Sequence, residues 1–242
     1  MEALLREGRA AEAVDCFSST RRRLANDLGV EPGPELRRLH LAILRHDTER
    51  HQPLAVPVQL PLDVYGFTGR DAEIARLDTL LARAVDQPLA VVVFVVCGGG
   101  GVGKTALAVH WAHRVADRFP DGQLFVNLHG FEPTGSAATR VMPAAAAVRV
   151  LLDALGVPPD RVPASEDAQV GLYRSLLAGR RVLVVLDNAA TAEQVRPLLP
   201  GAPGCLAVVT SRDRLSGLGT AEAAHPFTLD VLTPAEARAL LG

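Results

Sequence analysis

The stretch Gly98-Gly99-Gly100-Gly101-Val102-Gly103-Lys104-Thr105 decides the fold of this chain, and it directly follows the apolar run Val91–Val96. Gly98, four intervening residues and then Gly103-Lys104-Thr105 match the Walker A pattern, which requires a buried strand before it and a helix after it. Glycine reaches backbone conformations closed to residues with a Cβ, so N–H groups can surround phosphate oxygens. The stretch therefore predicts a phosphate-binding P-loop and a bound nucleoside diphosphate or triphosphate.

The residues that close this stretch supply the remaining chemistry of a phosphate site. Lys104 offers a point charge to the β and γ phosphates, and the hydroxyl of Thr105 suits Mg²⁺. The helix predicted from Lys104, which includes Ala106, aims the positive end of its dipole at the anion. We therefore expect the nucleotide to bind along residues 98–106.

Two later apolar strands end in polar residues that fit the same site. The strand Val182–Asp187 ends in a carboxylate, as a Walker B strand does, and Asp187 would orient Mg²⁺ or its water opposite Thr105. Many hydrolysing P-loop proteins carry a second acidic residue next, but this chain has Asn188, which cannot accept a proton as a carboxylate can. We therefore expect slow hydrolysis or none.

The strand Leu206–Thr210 leads to the second group of polar residues. Arg212 follows it on the side where a γ-phosphate would lie, which makes this cation a candidate phosphate sensor. Arg214 is the weaker candidate for the same role, and a surface arginine that merely closes a strand is the alternative.

Composition and charge exclude several classes of protein. The 242 residues carry a net charge of −2 with both signs interleaved, so neither nonspecific nucleic-acid binding nor attraction to an anionic membrane is indicated. Cys16, Cys97 and Cys205 are far apart and odd in number, which fits a reducing cytosol without a disulfide framework or a zinc site. The charged start and the shortness of the apolar runs predict neither a signal peptide nor a membrane span, so cytoplasmic is the expected location.

The pattern along the chain predicts three segments. Residues 1–46 show helical spacing on both sides of a Gly/Pro break, which predicts a short helical hairpin of the TPR-like kind. Residues 47–61 are polar and then proline-punctuated, as an interdomain linker is. Residues 62–242 alternate strand and helix patterns, which predicts a three-layer α/β sandwich with a parallel sheet. The predicted elements are strands at 89–96, 123–128, 182–187, 206–210 and 224–229, and helices at 104–118, 143–155, 166–177 and from Thr233 onward.

These pieces in this order resemble a known family of nucleotide-binding switches. Together with Phe67-Thr68-Gly69-Arg70-Asp71 they are similar to the NB-ARC branch of the STAND P-loop NTPases. The sequences of residues 186–189 and 193–201 are similar to those of the SARP, or AfsR-like, bacterial antibiotic regulators. Residues 8–13 and 28–36 resemble the end of the bacterial transcriptional activator domain, so the resemblance covers nearly the whole chain.

The resemblance implies a regulatory switch in which ADP holds a closed state and ATP permits opening and self-association. It implies that Gly69 and Arg70 lie near the base and ribose, that residues 98–105 bind the phosphates and Mg²⁺, that Asp187 meets the metal and that Arg212 senses phosphate. The family's DNA-binding winged helix and its later helical and winged-helix subdomains have no counterpart in these residues. We therefore expect a fragment or a truncated gene product, no DNA binding by this segment, and partners reached through flanking domains.

Two other functions compete with the switch. The first is a metabolic NTPase or kinase, for which His129 or Glu132 would have to serve as the base, although each is more plainly a loop residue. The second is an interaction module in which the nucleotide only stabilises the fold. His110 and His113 share a predicted helix with Trp111, and helical spacing without nearby acidic ligands favours packed or exposed helix residues over a metal site.

Overall fold

The computed structural model describes residues 56–85, 91–131, 141–219 and 224–241, together with the isolated Thr20 and Gly33. The chain divides into two compact units, residues 1–55 and 56–242. The helical hairpin predicted for residues 1–46 lies outside the described residues, as does Glu132.

The second unit is a parallel five-stranded sheet with helices on both faces, which confirms the predicted α/β class. The strand order is β2-β3-β4-β1-β5, so the strand that precedes the P-loop lies inside the sheet. The described strands are β1 Val92–Cys97, β2 Gln123–Asn127, β3 Leu183–Ala189, β4 Leu206–Ser211 and β5 Ala224–Thr228. The described helices are α1 Asp71–Val85, α2 Lys104–Val115, α3 Ala144–Ala154, α4 Glu166–Leu177, α5 Ala192–Val195 and α6 Pro234–Leu241, with 3₁₀ turns at 116–118, 159–161 and 196–198.

The inner strands β1, β3 and β4 are buried on both faces, which is why they read as apolar runs, whereas the edge strand β5 is mostly exposed. Successive side chains of a strand point to opposite faces, and β1 feeds two separate cores in this way. Phe94 and Val96 pack with Leu77 and Trp111 of helices α1 and α2. Val93 and Val95 lie in the other core, with the helices α3 and α4.

The element bounds differ from the sequence predictions mainly at strand ends. The predicted start of β1 at residue 89 lies outside the described residues; Val91 is described outside the strand, which begins at Val92. Strand β3 continues past Asp187 to Ala189. Its pairing with β4 shifts register between Leu186 and Ala189, so the carboxylate lies within an irregular stretch rather than at a strand's last residue. The predicted helix 104–118 ends at Val115 and finishes as a 3₁₀ turn.

Helix α1 was absent from the sequence predictions. The sequence nevertheless contains the usual signals of a helix here. Asp71 and Glu73 place negative charge in the first turn. Ile74, Leu77 and Leu81 recur at helical spacing. Trp111 Nε1 of α2 donates a hydrogen bond of 2.9 Å to the carboxylate of Asp78, which ties α1 to the helix after the P-loop.

The second unit also begins at residue 56, earlier than the predicted boundary at Leu62. Val58 pairs with Gln123 of β2 in a parallel bridge, and the amide of Gln123 donates to the carbonyl of Pro57 at 2.7 Å. Residues 56–61, assigned to the linker from sequence, therefore cover the edge of β2. An edge strand exposes unpaired backbone groups, and this segment satisfies some of them.

Candidate functional site

The P-loop connects the end of β1 to the start of α2 and is fixed against the chain after β5. The amide of Leu229 donates to the carbonyl of Cys97 at 2.7 Å. A Cβ on Gly98 would lie 2.3 Å from the carbonyl oxygen of Leu229, closer than any real side chain approaches, so only glycine fits there. Gly98 therefore allows the chain after β5 to pack against the end of β1, in addition to its place in the P-loop.

Lys104 is the only lysine in the sequence, and its side chain curls back over the loop. Its Nζ donates to the carbonyls of Gly98 at 3.0 Å and Gly99 at 2.7 Å. Burial lowers the pKa of the Lys104 ammonium, and the nearby positive charge of Arg212 lowers it further, whereas Asp187 acts in the opposite direction. The structure therefore groups the three charged residues that the sequence assigned to the phosphates, the metal and the phosphate sensor.

Asp187 is 5% exposed and receives two hydroxyl hydrogen bonds on one oxygen. Thr105 Oγ1 donates to its Oδ1 at 2.7 Å, which brings together the two residues predicted to meet Mg²⁺. Thr210 Oγ1 of β4 donates to the same atom at 2.6 Å. Hydroxyl and carboxylate oxygens are the donors that Mg²⁺ prefers, so this residue pair fits the ion chemically.

Thr210 was not singled out in the sequence, although it is a polar residue near the end of an otherwise apolar strand. It also accepts a hydrogen bond of 2.8 Å from the backbone amide of Asn188. Thr210 therefore holds both the carboxylate of Asp187 and the backbone that follows it.

Asn188 adopts a left-handed backbone conformation, with φ of 57°, at the register shift of β3. Its carbonyl accepts from the amide of Gly130 at 2.7 Å, and its side-chain Nδ2 lies 3.5 Å from the carbonyl of Phe131. A Cβ on Gly130 would lie 2.5 Å from the carbonyl oxygen of Asn188 and from the amide of Ala190. The side chain of Asn188 thus faces the loop after β2, and an amide there cannot remove a proton from water.

Arg212 lies beside the P-loop, as the phosphate-sensor prediction requires. Its Cζ would be 3.6 Å from a Cβ on Gly100, and it stands 5.1 Å from the centre of the Phe131 ring. Arg214 instead lines a separate cavity of about 600 Å³ with Ser216 and His225. The structure therefore favours Arg212 over Arg214 for contact with a ligand on the loop.

Arg70 is buried against protein groups. Its Nη2 donates to the carbonyls of Val102 at 3.1 Å and Asp230 at 2.6 Å, and its Nη1 pairs with Glu73 at 2.9 Å. Gly69 precedes it with φ of 77° and packs against Glu236 of α6. The contact of Gly69 and Arg70 with the base and ribose stays a prediction, whereas the guanidinium's contact with the P-loop backbone is a feature that the sequence did not reveal.

Gln194 is a second buried polar residue that sequence analysis missed. Its side chain accepts from the amide of Ala190 at 2.9 Å and donates to the carbonyls of Leu128 at 3.1 Å and Met142 at 2.7 Å. It thereby joins the chain after β2 to the chain after β3. A glutamine early in a short, Thr-capped helix was the available signal.

The histidines near the site have ordinary structural contacts. His110 lies 3.1 Å from the carboxylate of Asp63 and stacks on Phe67 with ring centroids 4.2 Å apart. His113 contacts the carbonyl of Pro61 at 2.7 Å. Within the part of the chain that the structure describes, no group of three or more His, Cys, Asp and Glu is arranged to hold a metal.

Among the described residues, none of the helices has the length and apolar character needed to traverse a lipid bilayer.

The sequence of this chain is similar to a bacterial family model and to two bacterial regulatory proteins. Residues 1–44 match the family model of the Bacterial transcriptional activator domain, which confirms that resemblance for the start of the chain. The chain is 46% identical over 246 residues to Regulatory protein AfsR of Streptomyces griseus and 44% identical over 253 residues to its counterpart in Streptomyces coelicolor. The whole chain resembles AfsR regulators. These alignments cover 98% and 99% of this chain but only 24% and 25% of the two relatives, so it spans about a quarter of their length.

Two solved structures are similar to this chain at low sequence identity. The chain aligns with the Aeropyrum pernix ORC2 protein, solved as ADPNP-ADP complexes, at a TM-score of 0.49 and 17% identity, covering 76% of this chain and 53% of that one. It aligns with the Aeropyrum pernix ORC1 protein, solved in complex with DNA, at a TM-score of 0.48 and 18% identity, covering 74% of this chain and 49% of that one.

Proposed function

We propose that residues 56–242 form an ATP- and ADP-binding switch module of an AfsR-like transcriptional regulator, of the NB-ARC and STAND kind, acting in the cytoplasm with slow hydrolysis or none. One observation carries the proposal: Lys104, the Thr105–Asp187 pair and Arg212 meet at a P-loop between β1 and α2. In this proposal Lys104 binds the phosphates, Thr105 and Asp187 bind Mg²⁺, and Arg212 senses the γ-phosphate.

The residue after Asp187 supports a switch over an efficient enzyme. A general base must be able to accept a proton within reach of the attacking water. Asn188 supplies an amide, and its side chain is directed at the carbonyl of Phe131. Bound ATP would then stay unhydrolysed, so the chain could report whether it holds ATP or ADP.

The first experiment identifies the resident nucleotide and its fate. The nucleotide is released from the purified 242-residue chain by denaturation and identified by chromatography, and ATP turnover is measured on the same preparation. ADP or ATP at about one per chain with turnover far below about 1 s⁻¹, the low end of ordinary enzymes, supports the switch. Turnover at ordinary enzyme rates would overturn it in favour of an NTPase.

The single lysine permits a direct test of the site. An amine-reactive reagent can label only Lys104 and the N-terminal amine, which serves as an internal control for reagent activity. We expect Mg²⁺ with ADP or ATP to protect Lys104 at least tenfold while labelling of the N-terminal amine stays constant. Protection of neither amine at saturating nucleotide would contradict the P-loop assignment.

Substitution of the same lysine gives the matching affinity measurement. Lys104→Ala removes the charge that faces the phosphates, and we expect at least a 100-fold loss of nucleotide affinity by calorimetry, on the order of 3 kcal/mol for a charged hydrogen-bonding group. Arg114→Ala is the matched control, because it removes a cation from the exposed end of the same helix, where it pairs with Asp78 at 3.3 Å. Equal affinities in the two variants would argue against the proposal.

A further inference from the structure

Arg70 is a buried cation whose hydrogen bonds join three separate parts of the chain. It is 5% exposed, and its guanidinium reaches Glu73 in α1, Val102 in the P-loop and Asp230 after β5. A buried charge costs folding free energy unless it is paired and hydrogen-bonded, and these contacts supply the pairing. Arg70 also has φ of 68°, a conformation that non-glycine residues hold only where the surroundings impose it.

The contact with Val102 bears on phosphate binding through the geometry of one peptide group. The carbonyl of Val102 and the N–H of Gly103 belong to the same planar trans peptide, so they point in opposite directions. Because Arg70 Nη2 holds that carbonyl at 3.1 Å, it also fixes where the N–H of Gly103 points. P-loop amides bind phosphate oxygens, so the orientation of this N–H affects the affinity of the loop.

The backbone of Arg70 is attached to helix α6 by Glu236. Thr233 and Glu236 form a capping box, in which Glu236 Oε2 accepts from the amide of Thr233 at 2.8 Å and from its hydroxyl at 2.7 Å. The other oxygen, Oε1, accepts from the amide of Arg70 at 3.1 Å. One carboxylate therefore caps α6 and binds the residue that holds the P-loop.

The surrounding residues favour this arrangement. A Cβ on Gly69 would stand 3.2 Å from Glu236 Cγ, so the absence of a side chain allows α6 to approach. The hydrogen bonds from the hydroxyl and amide of Thr233, followed by the one from the amide of Arg70, lower the pKa of Glu236 to about 2. Glu236 is thus ionised, and able to accept all of these bonds, at neutral pH.

We propose that Arg70 is a positioning residue that couples the P-loop to helix α6, so that nucleotide binding and the docking of α6 favour each other. The coupling rests on the proposed nucleotide-binding function. It adds a route by which a nucleotide bound at the P-loop affects helix α6. A nucleotide that orders the loop strengthens the Val102 contact, and through Glu236 it stabilises α6. Linkage requires the reverse as well: a docked α6 raises nucleotide affinity by the same factor.

The test measures both directions of this linkage in the full 242-residue chain. Hydrogen exchange of the α6 amides is followed by mass spectrometry with and without Mg²⁺ and ADP, and nucleotide affinity is measured by calorimetry. The first test variant is Arg70→Lys, which keeps the charge but lacks the planar guanidinium that reaches Val102, Asp230 and Glu73 together. The second is Glu236→Gln, which replaces one of the two accepting oxygens with an NH₂ group, so either the bond from Arg70 or the bonds from Thr233 lose their acceptor. The matched controls are Arg83→Lys, exposed on α1, and Glu166→Gln, exposed in the first turn of α4.

In the wild type we expect nucleotide to slow hydrogen exchange of the α6 amides. In both test variants we expect this slowing to be smaller. We also expect their nucleotide affinity to fall by about fivefold or more, which is the lower range of allosteric coupling. The controls should retain both properties. A variant that lowers the melting temperature but keeps its nucleotide affinity and the response of α6 would overturn the coupling, because that is the behaviour of a purely structural residue. If Arg70→Lys does not fold, Glu236→Gln alone decides.

Failure of the underlying function has a different signature. If the wild type shows no nucleotide protection of Lys104, the nucleotide-binding function is wrong and the coupling falls with it. If Lys104 is protected while exchange in α6 does not respond, the function stands and only the coupling is refuted.

Discussion

At the scale of single residues, the site depends on one carboxylate oxygen that receives hydroxyl groups from two different elements. Oδ1 of Asp187 accepts from Thr105 at the start of α2 and from Thr210 in β4. Two charge-assisted hydrogen bonds leave the carboxylate little freedom to rotate. Its orientation is therefore set before any ligand binds, which reduces the cost of binding a metal and phosphate.

Thr210→Val tests this preorganisation with almost no change in shape. The substitution removes the bond to Asp187 and leaves the amide of Asn188 without its acceptor, so we expect a loss of about 1–3 kcal/mol in the free energy of unfolding. We also expect nucleotide affinity to depend less on Mg²⁺. Denaturant unfolding and calorimetry with and without the metal measure the two effects. Thr79→Val, exposed on α1, is the control, and identical behaviour of the two variants would contradict the role of Thr210.

At the scale of elements, sequence patterns located most helices and strands, and they placed the ends of α3 and α4 better than the ends of the strands. The 3.6-residue spacing gave α4 its observed bounds and placed α3 within a residue at each end, because packing follows the apolar face. Strand β3 continues two residues beyond the predicted end, since pairing with β4 resumes at Ala189 after the register shift. Pairing with another strand is a tertiary property that the sequence of β3 alone does not contain.

The short helix α5 gives an element-scale prediction through Gln194. Its side chain satisfies the amide of Ala190 and the carbonyls of Leu128 and Met142 in the interior. Gln194→Leu would leave these groups unpaired, so we expect at least about 2 kcal/mol of destabilisation, since each buried unsatisfied group costs about 1–3 kcal/mol. Chemical denaturation measures it, with Gln59→Leu at an exposed position as the control. Near-wild-type stability would show that water replaces the side chain.

At the scale of the whole molecule, the candidate site draws on the centre of the sheet rather than on one edge. The P-loop follows β1, Asp187, the proposed metal-binding residue, lies in β3, and Arg212, the proposed sensor, follows β4, which pairs with both of those strands. Parallel strands bring their carboxyl ends to one side, where ligands of open α/β sheets bind. A nucleotide bound as proposed would therefore contact segments that are far apart in sequence and close in space.

This arrangement predicts that nucleotide stabilises residues 56–242 as a unit. At about 100 times the dissociation constant, Mg²⁺ with ADP should add about 2.7 kcal/mol to the free energy of unfolding. For a unit of this size the melting temperature should rise by about 5–10 °C in a thermal scan. The rise should shrink when EDTA removes the metal, and in Lys104→Ala it should fall to about 1–2 °C or less, because a 100-fold loss of affinity at the same ADP concentration leaves only about 0.4 kcal/mol. A rise that persists at full size in Lys104→Ala would place the bound nucleotide elsewhere.

Sequence patterns alone predict the α/β class, the P-loop and the residues Lys104, Thr105, Asp187 and Arg212 that meet there. They can do so because glycine spacing and apolar strands that end in polar residues are local patterns, and parallel strands bring such ends together. Only the tertiary structure decided that Thr210 holds Asp187 and that Arg70 joins the P-loop to α6. These contacts link residues distant in sequence, and their partners are often backbone carbonyls, which every residue carries and no pattern marks.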